Sequence, residues 1–273
     1  MRLLIASLLL AFPAAADTAD VVTDHIRPGY QAFAKSAADL AAIESCSSNS
    51  LRPAFHSAYD AWLAVAHLHL GPAEEDGRAL AILFWPDPKG LGAKAQRGLL
   101  TGDPAALTPD FLAQQSVAAR GLAGLERLLY PAEPLPVDPC PLILATADDL
   151  SRVADEVSAD WSPFGDLLLT AGDPGNPRFL TKAEASQALF TQLATGLEFI
   201  ADRRIGRPLG TFDKPQPTLA EARASARSLR NVVLSLQALR DLARTLDPGS
   251  PRTLAAFDHA LDLAAKLDDP TFA

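Results

Sequence analysis

The spacing of apolar residues is the feature of this sequence that most limits its possible folds, and it is clearest along residues 119–130. Leu122, Leu125 and Leu129 recur at intervals of three or four, which is typical of one face of an α-helix. Glu126 projects from within that face, and a carboxylate among leucines loses hydration unless a cation, a metal or donors reach it. Another segment must therefore supply a partner, and both a structural arginine pair and a functional site fit the pattern.

The same spacing recurs along most of the chain, which has 48% hydrophobic but only 7% aromatic residues and is dominated by alanine and leucine. This composition favours helices over a β-sandwich. Five prolines between Pro131 and Pro141 predict an extended connector. We expect an all-α fold of two packed helical-bundle halves, 17–138 and 139–273. The main helices are predicted over residues 20–44, 53–70, 119–130, 142–161, 181–205, 218–246 and 252–267.

Residues 1–16 have the composition of a secretory signal peptide. Arg2 precedes an apolar run, and small residues stand before Asp17. The apolar run is too short to span a bilayer, and no later run reaches membrane length. The mature chain, 17–273, is therefore expected to be exported and periplasmic, without a transmembrane segment.

The cysteine count agrees with export. Cys46 and Cys140 are the only two cysteines of the chain, and an exported protein with an even pair usually oxidises it. We predict a Cys46–Cys140 disulfide. A net charge of −9 and a pI near 5.0 argue against nonspecific binding to nucleic acid or to anionic lipid.

The predicted helix over residues 53–70 carries a cluster of metal-ligand side chains. His56, Asp60 and His67 fall within about 40° of one another at 100° per residue. Such a cluster is either a metal site or a polar flank with one His–Asp hydrogen bond.

Several segments resemble the imelysin-like proteins. In that family a Gly-x-His-x-x-Glu motif lies on a helix, and here Gly121 and Glu126 match it while Ala123 occupies the His position. The remaining resemblance lies in the opening segment at residues 25–33, the Leu-Gly-Pro and Phe-Trp-Pro-Asp sequences at 70–72 and 84–87, and the segments 197–208 and 225–231.

This resemblance implies an exported pair of helical bundles linked to bacterial iron uptake, with a site between the bundles around the motif helix. Some members of the family were classed as peptidases. Combined with the helical patterns above, this location leads us to predict Glu126, His67 and Asp60 as metal ligands, for iron or zinc. The predicted ligand-binding residues are Trp62, Arg78, Trp85, Asp87, Gly121, Arg204 and Arg227.

Three functions remain open at this point. The first is a noncatalytic binding or accessory protein of iron acquisition that holds a metal ion or a small anionic ligand. The second is a metallopeptidase, for which the motif His is missing at Ala123 and no His-Glu-x-x-His sequence is present. The third is a binding partner of another periplasmic iron-uptake or redox protein, with purely structural buried charges. In each case Glu126 is expected to meet a cation, either a metal shared with His67 or one of Arg78, Arg204, Arg227 and Arg230.

Overall fold

The computed structural model describes residues 18–272, and in that range the chain forms ten helices joined by turns and short 3₁₀ segments. The first helix, α1, is built from three consecutive pieces, Thr18–Asp20, a π-helical turn Val21–Ile26 and Arg27–Ala41. The next six are α2 (Ser48–Leu63), α3 (Arg78–Ile82), α4 (Leu91–Leu100), α5 (Pro109–Ala113), α6 (Gly121–Leu129) and α7 (Cys140–Leu169). The last three are α8 (Lys182–Phe199, continued by a π-helical turn Ile200–Gly206 and by Arg207–Leu209), α9 (Ser228–Leu246) and α10 (Pro251–Ala264). The predicted all-α fold is confirmed.

The larger core lies between α1, α2, α6 and α7, whose apolar faces pack together. Aromatic rings fill its centre: Tyr30 stacks on Trp161 at 5.3 Å, and Phe33 meets Trp62 at 5.2 Å between ring centroids. Trp62 is 4% exposed. It therefore stabilises this bundle and is not placed to contact a ligand.

The packing of α7 differs from the predicted division at residues 138 and 139. This helix lies along α1 and shares the larger core, so it belongs with the N-terminal helices although it follows the proline-rich connector. A smaller second core brings together α8, α9 and α10 through Ile200, Val232, Leu239 and Phe257. The connector therefore joins two helices of one bundle, and the chain passes to the second bundle along α8.

The predicted disulfide is confirmed. Cys46 and Cys140 are bonded, with their Cα atoms 5.6 Å apart and 94 residues between them in sequence. Closing a loop of this length stabilises the fold by about 4–5 kcal/mol in the chain-entropy model. The bond ties the start of α7 to the loop before α2.

Three predicted helix boundaries are wrong because tertiary contacts override local propensity. The second helix ends at Leu63 rather than at residue 70, and turns then bury Val65, His67 and Leu68. The helix predicted over 142–161 continues through Pro163 to Leu169. The segment predicted as helix over 218–246 is helical only from Ser228.

The beginning of α8 follows the prediction. Thr181 accepts a hydrogen bond from the Glu184 N–H at 3.1 Å, and the Glu184 carboxylate accepts one from the Leu180 N–H at 2.7 Å. The signal-peptide residues lie outside the described range. Within residues 18–272, no helix has the length and apolar content needed to cross a bilayer.

Candidate functional site

Helix α6 is positioned by an unusually close backbone contact at its first residue. Gly121 has a φ of +60°, and a Cβ there would lie 2.2 Å from the Ala81 carbonyl oxygen and 2.3 Å from that of Ile82. Only glycine fits this position. Any side chain would clash with these backbone oxygens, and a residue with a Cβ would also be strained in the left-handed conformation. Gly121 therefore sets the distance between α6 and α3 and offers no group to a ligand.

A buried ion pair that sequence reasoning missed fixes the same end of α6. Arg120 donates two hydrogen bonds to Asp149 on α7, from Nε at 2.7 Å and from Nη2 at 2.9 Å. Both side chains are 5% exposed or less. Such bidentate geometry leaves little rotational freedom, so α6 is held against α7 as well as α3.

Glu126 finds hydrogen-bond donors rather than a cation. Its Oε1 atom accepts from the Ser225 backbone N–H at 2.9 Å and from the Ser225 hydroxyl at 2.7 Å. Burial raises the pKa of Glu126, and these hydrogen bonds oppose the rise. Within the described chain no lysine or arginine makes a salt bridge to it, so the expected arginine partner is replaced by Ser225.

The loop before α9 makes this contact possible. Ala222 and Ala226 have φ values of 49° and 56°, which break the helix predicted there. The Arg227 N–H then bonds to the Ala222 carbonyl oxygen at 3.0 Å, closing a turn around Ser225. The break turns the Ser225 N–H away from a helical partner and toward Glu126.

A cavity of about 530 Å³ opens between α6, this loop and the segment after α3. We name it the arginine cavity. Ala123 and Glu126 line it from α6, and Trp85 and Asp87 line it from the rigid Trp-Pro-Asp-Pro segment. Three predicted site residues therefore share one cavity. Its complete lining is Phe84, Trp85, Pro86, Asp87, Pro88, Ala123, Glu126, Arg127, Tyr130, Pro131, Ala132, Arg207, Thr218, Leu219, Ala220, Ala222, Arg223 and Ala224.

The two carboxylates of the arginine cavity are occupied by internal donors. Asp87 accepts from the backbone N–H groups of Leu91 at 2.9 Å and Gly92 at 2.8 Å, so it holds the first turn of α4. Glu126 is bound by Ser225, as described above. Neither carboxylate makes a salt bridge to an arginine of the cavity, although the negative charges of both raise the pKa of Arg127 against the effect of burial.

Its three arginines have no carboxylate partner among residues 18–272. Arg127 donates to the Gln96 side chain at 2.9 Å and to the Ala118 carbonyl oxygen, and burial lowers its pKa. Arg207 has a buried Nε atom without a hydrogen-bond partner in the described structure. Arg223 is exposed. The cavity therefore holds three guanidinium groups and two carboxylates with no direct ion pair between them.

Arg227 lies behind the cavity and joins the two bundles. Its guanidinium donates to Asp60 and to His56 Nδ1 on α2, the latter at 2.9 Å, and lies 4.6 Å from the centre of the Tyr59 ring. Arg230 also binds Asp60, from Nε at 2.9 Å. Burial would raise the pKa of Asp60, but hydrogen bonds from both arginines outweigh burial and lower it. Asp60 is therefore a structural anchor for α9.

The other arginines predicted to bind a ligand are also engaged inside the protein. Arg204 pairs with buried Glu221 at 2.6 Å, and Glu221 also accepts from Asn231 at 3.0 Å. Arg78 pairs with Asp160 at 2.7 Å. These residues support the fold around the cavity.

The predicted metal ligands Glu126, His67 and Asp60 do not converge. Glu126 binds Ser225 and Asp60 binds two arginines, whereas His67 lies beyond the end of α2 and contacts His25. Among the described residues no three His, Cys, Asp or Glu side chains are grouped as a metal site would require. The set fails because it assumed a helix that continues to residue 70.

Comparison with known proteins shows the family to which this chain belongs. The family model described as Imelysin, labelled peptidase M75, matches residues 26–272. The chain belongs to the imelysin family. No curated protein matches it significantly.

Two solved structures share the imelysin fold of this chain. An imelysin-like protein from Psychrobacter arcticum is 21% identical over 97% of this chain and 89% of that one, with a TM-score of 0.79. A protein from Parabacteroides distasonis, provisionally described as an iron-regulated protein A precursor, is 14% identical over 96% of this chain and 89% of that one, with a TM-score of 0.64. At these identities the likeness concerns the fold.

This imelysin-family chain keeps the motif helix but changes its chemistry. Ala123 lines the arginine cavity one turn before Glu126, where the family motif has a histidine. The alanine methyl group offers no metal-binding nitrogen at this position.

Proposed function

We propose that this protein is an exported, noncatalytic binding protein of iron acquisition whose arginine cavity holds a small anionic ligand, such as iron carried as an anionic chelate. The observation that carries the proposal is the imbalance of partners in the cavity. Both carboxylates are bound by internal donors, whereas Arg127, Arg207 and Arg223 make no salt bridge to any carboxylate of residues 18–272. An arginine fork in a partly dry site binds carboxylates and phosphates in bidentate fashion.

The charge of the whole chain makes this arrangement informative. A protein with a net charge of −9 repels anions over most of its surface. The arginine cavity is a local exception, because its lining holds three arginines and two carboxylates. The low dielectric of the cavity wall strengthens the attraction of its arginines for an anion. The ligand class that fits is an anion small enough for about 530 Å³.

An anionic iron chelate fits both the arginines of the cavity and its lack of metal ligands. With Ala123 in place of the motif His, the cavity has too few protein ligands to complete the coordination of a bare iron ion. A chelate brings its own oxygen ligands, so the protein needs only to bind its negative charge. The iron connection is supported by family membership and by the description of the Parabacteroides neighbour.

A metallopeptidase is the weaker candidate. A catalytic zinc uses three protein ligands and keeps an open position for water. The arginine cavity offers Glu126, already bound to Ser225, and Asp87, already bound to α4. The proposal therefore assigns binding rather than hydrolysis to this cavity.

Tryptophan fluorescence during titration with ferric citrate tests the proposal. Trp85 lines the cavity and is half-buried, whereas Trp62 and Trp161 are in the core, so the ligand should change the emission of Trp85. The double substitution Arg207→Gln/Arg223→Gln should weaken binding by about tenfold or more, which corresponds to about 1.4 kcal/mol.

Arg203→Gln is the matched control, since Arg203 is exposed and lies outside the cavity lining. Its affinity should equal that of the parent protein. Unchanged affinity in the double variant, or no binding of ferric citrate by the parent, would contradict the proposal.

A further inference from the structure

Two histidines meet at a second position, away from the arginine cavity. His25 lies in the π-helical turn of α1, and His67 lies in the turns after α2. Their Nε2 atoms are 3.1 Å apart, and their rings are tilted by 48° with centroids 5.2 Å apart. π-helical turns are rare and frequently occur at functional sites.

Packing alone does not account for this pair. His67 is only 8% exposed, and its Nδ1 atom has no hydrogen-bond partner in the described structure. A buried polar atom without a partner costs folding free energy that an apolar side chain would not cost. The pair is therefore a candidate for a functional role.

Burial disfavours the positively charged form of both rings. Burial lowers the pKa of His25 to about 4, although the charge of Asp241 opposes this effect. Burial, with smaller effects from His25, His69 and Arg204, holds the pKa of His67 well below its ordinary value.

The separation of the two nitrogen atoms suits a shared metal ion. Zinc lies about 2.0–2.1 Å from a histidine nitrogen. Two nitrogens 3.1 Å apart, each at that distance, subtend an angle of about 98° at the ion. This angle lies between the ideal octahedral and tetrahedral values, so the separation of the two nitrogens is compatible with a shared ion once the rings turn their lone pairs toward it.

The surrounding charge also favours a cation. His25 lines a cavity of about 380 Å³, which we name the histidine cavity. Its lining includes Asp24, Asp60 and Asp241 and, among the described residues, no lysine or arginine. Asp60 is paired with Arg227 and Arg230, and Asp241 with the exposed Arg244 at 2.7 Å, so these two carboxylates contribute only part of their charge. The full lining is Asp24, His25, Pro28, Gly29, Asp60, Ala64, Leu234, Gln237, Ala238 and Asp241.

We propose that His25 and His67 bind one divalent transition-metal ion of the zinc and ferrous-iron class through their Nε2 atoms. Water from the histidine cavity completes the coordination, and Asp241 on α9 supplies countercharge from outside the first coordination sphere. Binding replaces the hydrogen bond between the two rings, and its proton moves to Nδ1 of the same ring. No step depends on the arginine cavity, so this site stands or falls separately from the proposed function.

Equilibrium titration with zinc tests the site in protein prepared without a histidine tag. The parent should bind one zinc ion per chain in competition with a chromophoric chelator. His25→Gln removes one ligand from a half-exposed position and should weaken binding by about tenfold or more. His69→Gln is the matched control, because His69 is exposed and pairs with Glu74 at 3.1 Å.

Cobalt(II) absorption supplies a spectroscopic check on the same variants. The visible band of cobalt bound to imidazole should appear with one equivalent in the parent and in His69→Gln, and it should be lost in His25→Gln. His67→Gln should also lose the cobalt band. If His67→Gln does not fold, the result for His25→Gln alone tests the proposal. Equal zinc affinity in the parent and His25→Gln, or no stoichiometric binding by the parent, would overturn the proposal.

Discussion

The arginine cavity and the histidine cavity both lie where the N-terminal bundle meets residues 217–246, yet their charges are arranged in opposite ways. In the arginine cavity the carboxylates are bound by backbone donors and Ser225, and within the described chain the arginines make no salt bridge. In the histidine cavity Asp60 is bound by arginines that do not line the cavity, and the His25 ring remains accessible from it. The residues that line a cavity therefore do not define a site by themselves, because their hydrogen bonds and salt bridges within the protein decide which charges a ligand meets.

Arg227 is the structural link between the two cavities. It binds Asp60, which lines the histidine cavity, and it follows the turn that presents Ser225 to Glu126 in the arginine cavity. Its side chain is 1% exposed. Loss of this residue should therefore affect both regions, whereas substitutions confined to one cavity should not.

The largest expected effect comes from Arg227→Met. Removing a buried guanidinium leaves Asp60 and His56 without their buried partner, and breaking a buried pair costs about 3–5 kcal/mol. Urea unfolding should show this loss in the free energy of unfolding. Arg230→Gln, which removes a side chain that is 56% exposed, should cost less than about 1 kcal/mol. Equal losses in the two variants would refute the special role of Arg227.

Gly121→Ala should weaken ligand binding at the arginine cavity and not at the histidine cavity. Left-handed strain and the clash with the Ala81 carbonyl oxygen together predict a loss of about 2–4 kcal/mol in the free energy of unfolding. Because α6 lines only the arginine cavity, affinity for ferric citrate should fall while zinc affinity is retained.

Gly98→Ala is the control for this substitution, since a Cβ there meets nothing within 4 Å and the residue lies in α4. It should raise stability by about 0.5–1 kcal/mol and leave both affinities unchanged. A Gly121→Ala protein as stable as the parent would show that the close approach of α6 and α3 is not required.

The fold was predictable where local pattern and tertiary structure agree. Periodic apolar residues predicted the helices, and Thr181 with Glu184 predicted the start of α8. The even cysteine count, together with the expected export, predicted the disulfide. Trp85 and Asp87 could be placed near a pocket because two prolines hold their backbone.

The partner of Glu126 could not be predicted from local sequence. Residues 218–246 contain no glycine or proline, so propensity favours one unbroken helix. The observed break places Ser225 against Glu126, which is 99 residues away in sequence, and only tertiary contact reveals it.

The contact between His25 and His67 was hidden for the same reason. Helical spacing placed His67 beside Asp60, but the helix ends at Leu63 and the following turns carry His67 toward α1. Assumed helical continuity thus produced a wrong metal set, although it named one member of the histidine pair.

A smaller, pH-dependent effect is expected for Glu126→Gln. Burial raises the pKa of Glu126, so the folded protein binds that proton more tightly than the unfolded chain. The parent should therefore lose stability relative to the Gln variant as pH rises through the ordinary glutamate range toward neutrality. The glutamine oxygen can still accept from Ser225, which makes the variant a conservative one.

Urea unfolding of both proteins at about pH 4 and about pH 7 measures this difference. The stability of the Gln variant relative to the parent should increase between the two pH values. A decrease would mean that the folded state favours the ionised carboxylate, as a salt bridge to an arginine would require.

The most direct test of the two proposed sites is calorimetric titration of three proteins with each of two ligands in separate experiments. The proteins are the parent, Arg207→Gln/Arg223→Gln and His25→Gln, and the ligands are ferric citrate and zinc. We predict one site for each ligand in the parent, loss of ferric citrate affinity alone in the arginine variant, and loss of zinc affinity alone in the histidine variant. If either variant loses affinity for both ligands, the two sites are not separate. If neither variant loses affinity for any ligand, the division of this bundle interface into an anion site and a cation site is wrong.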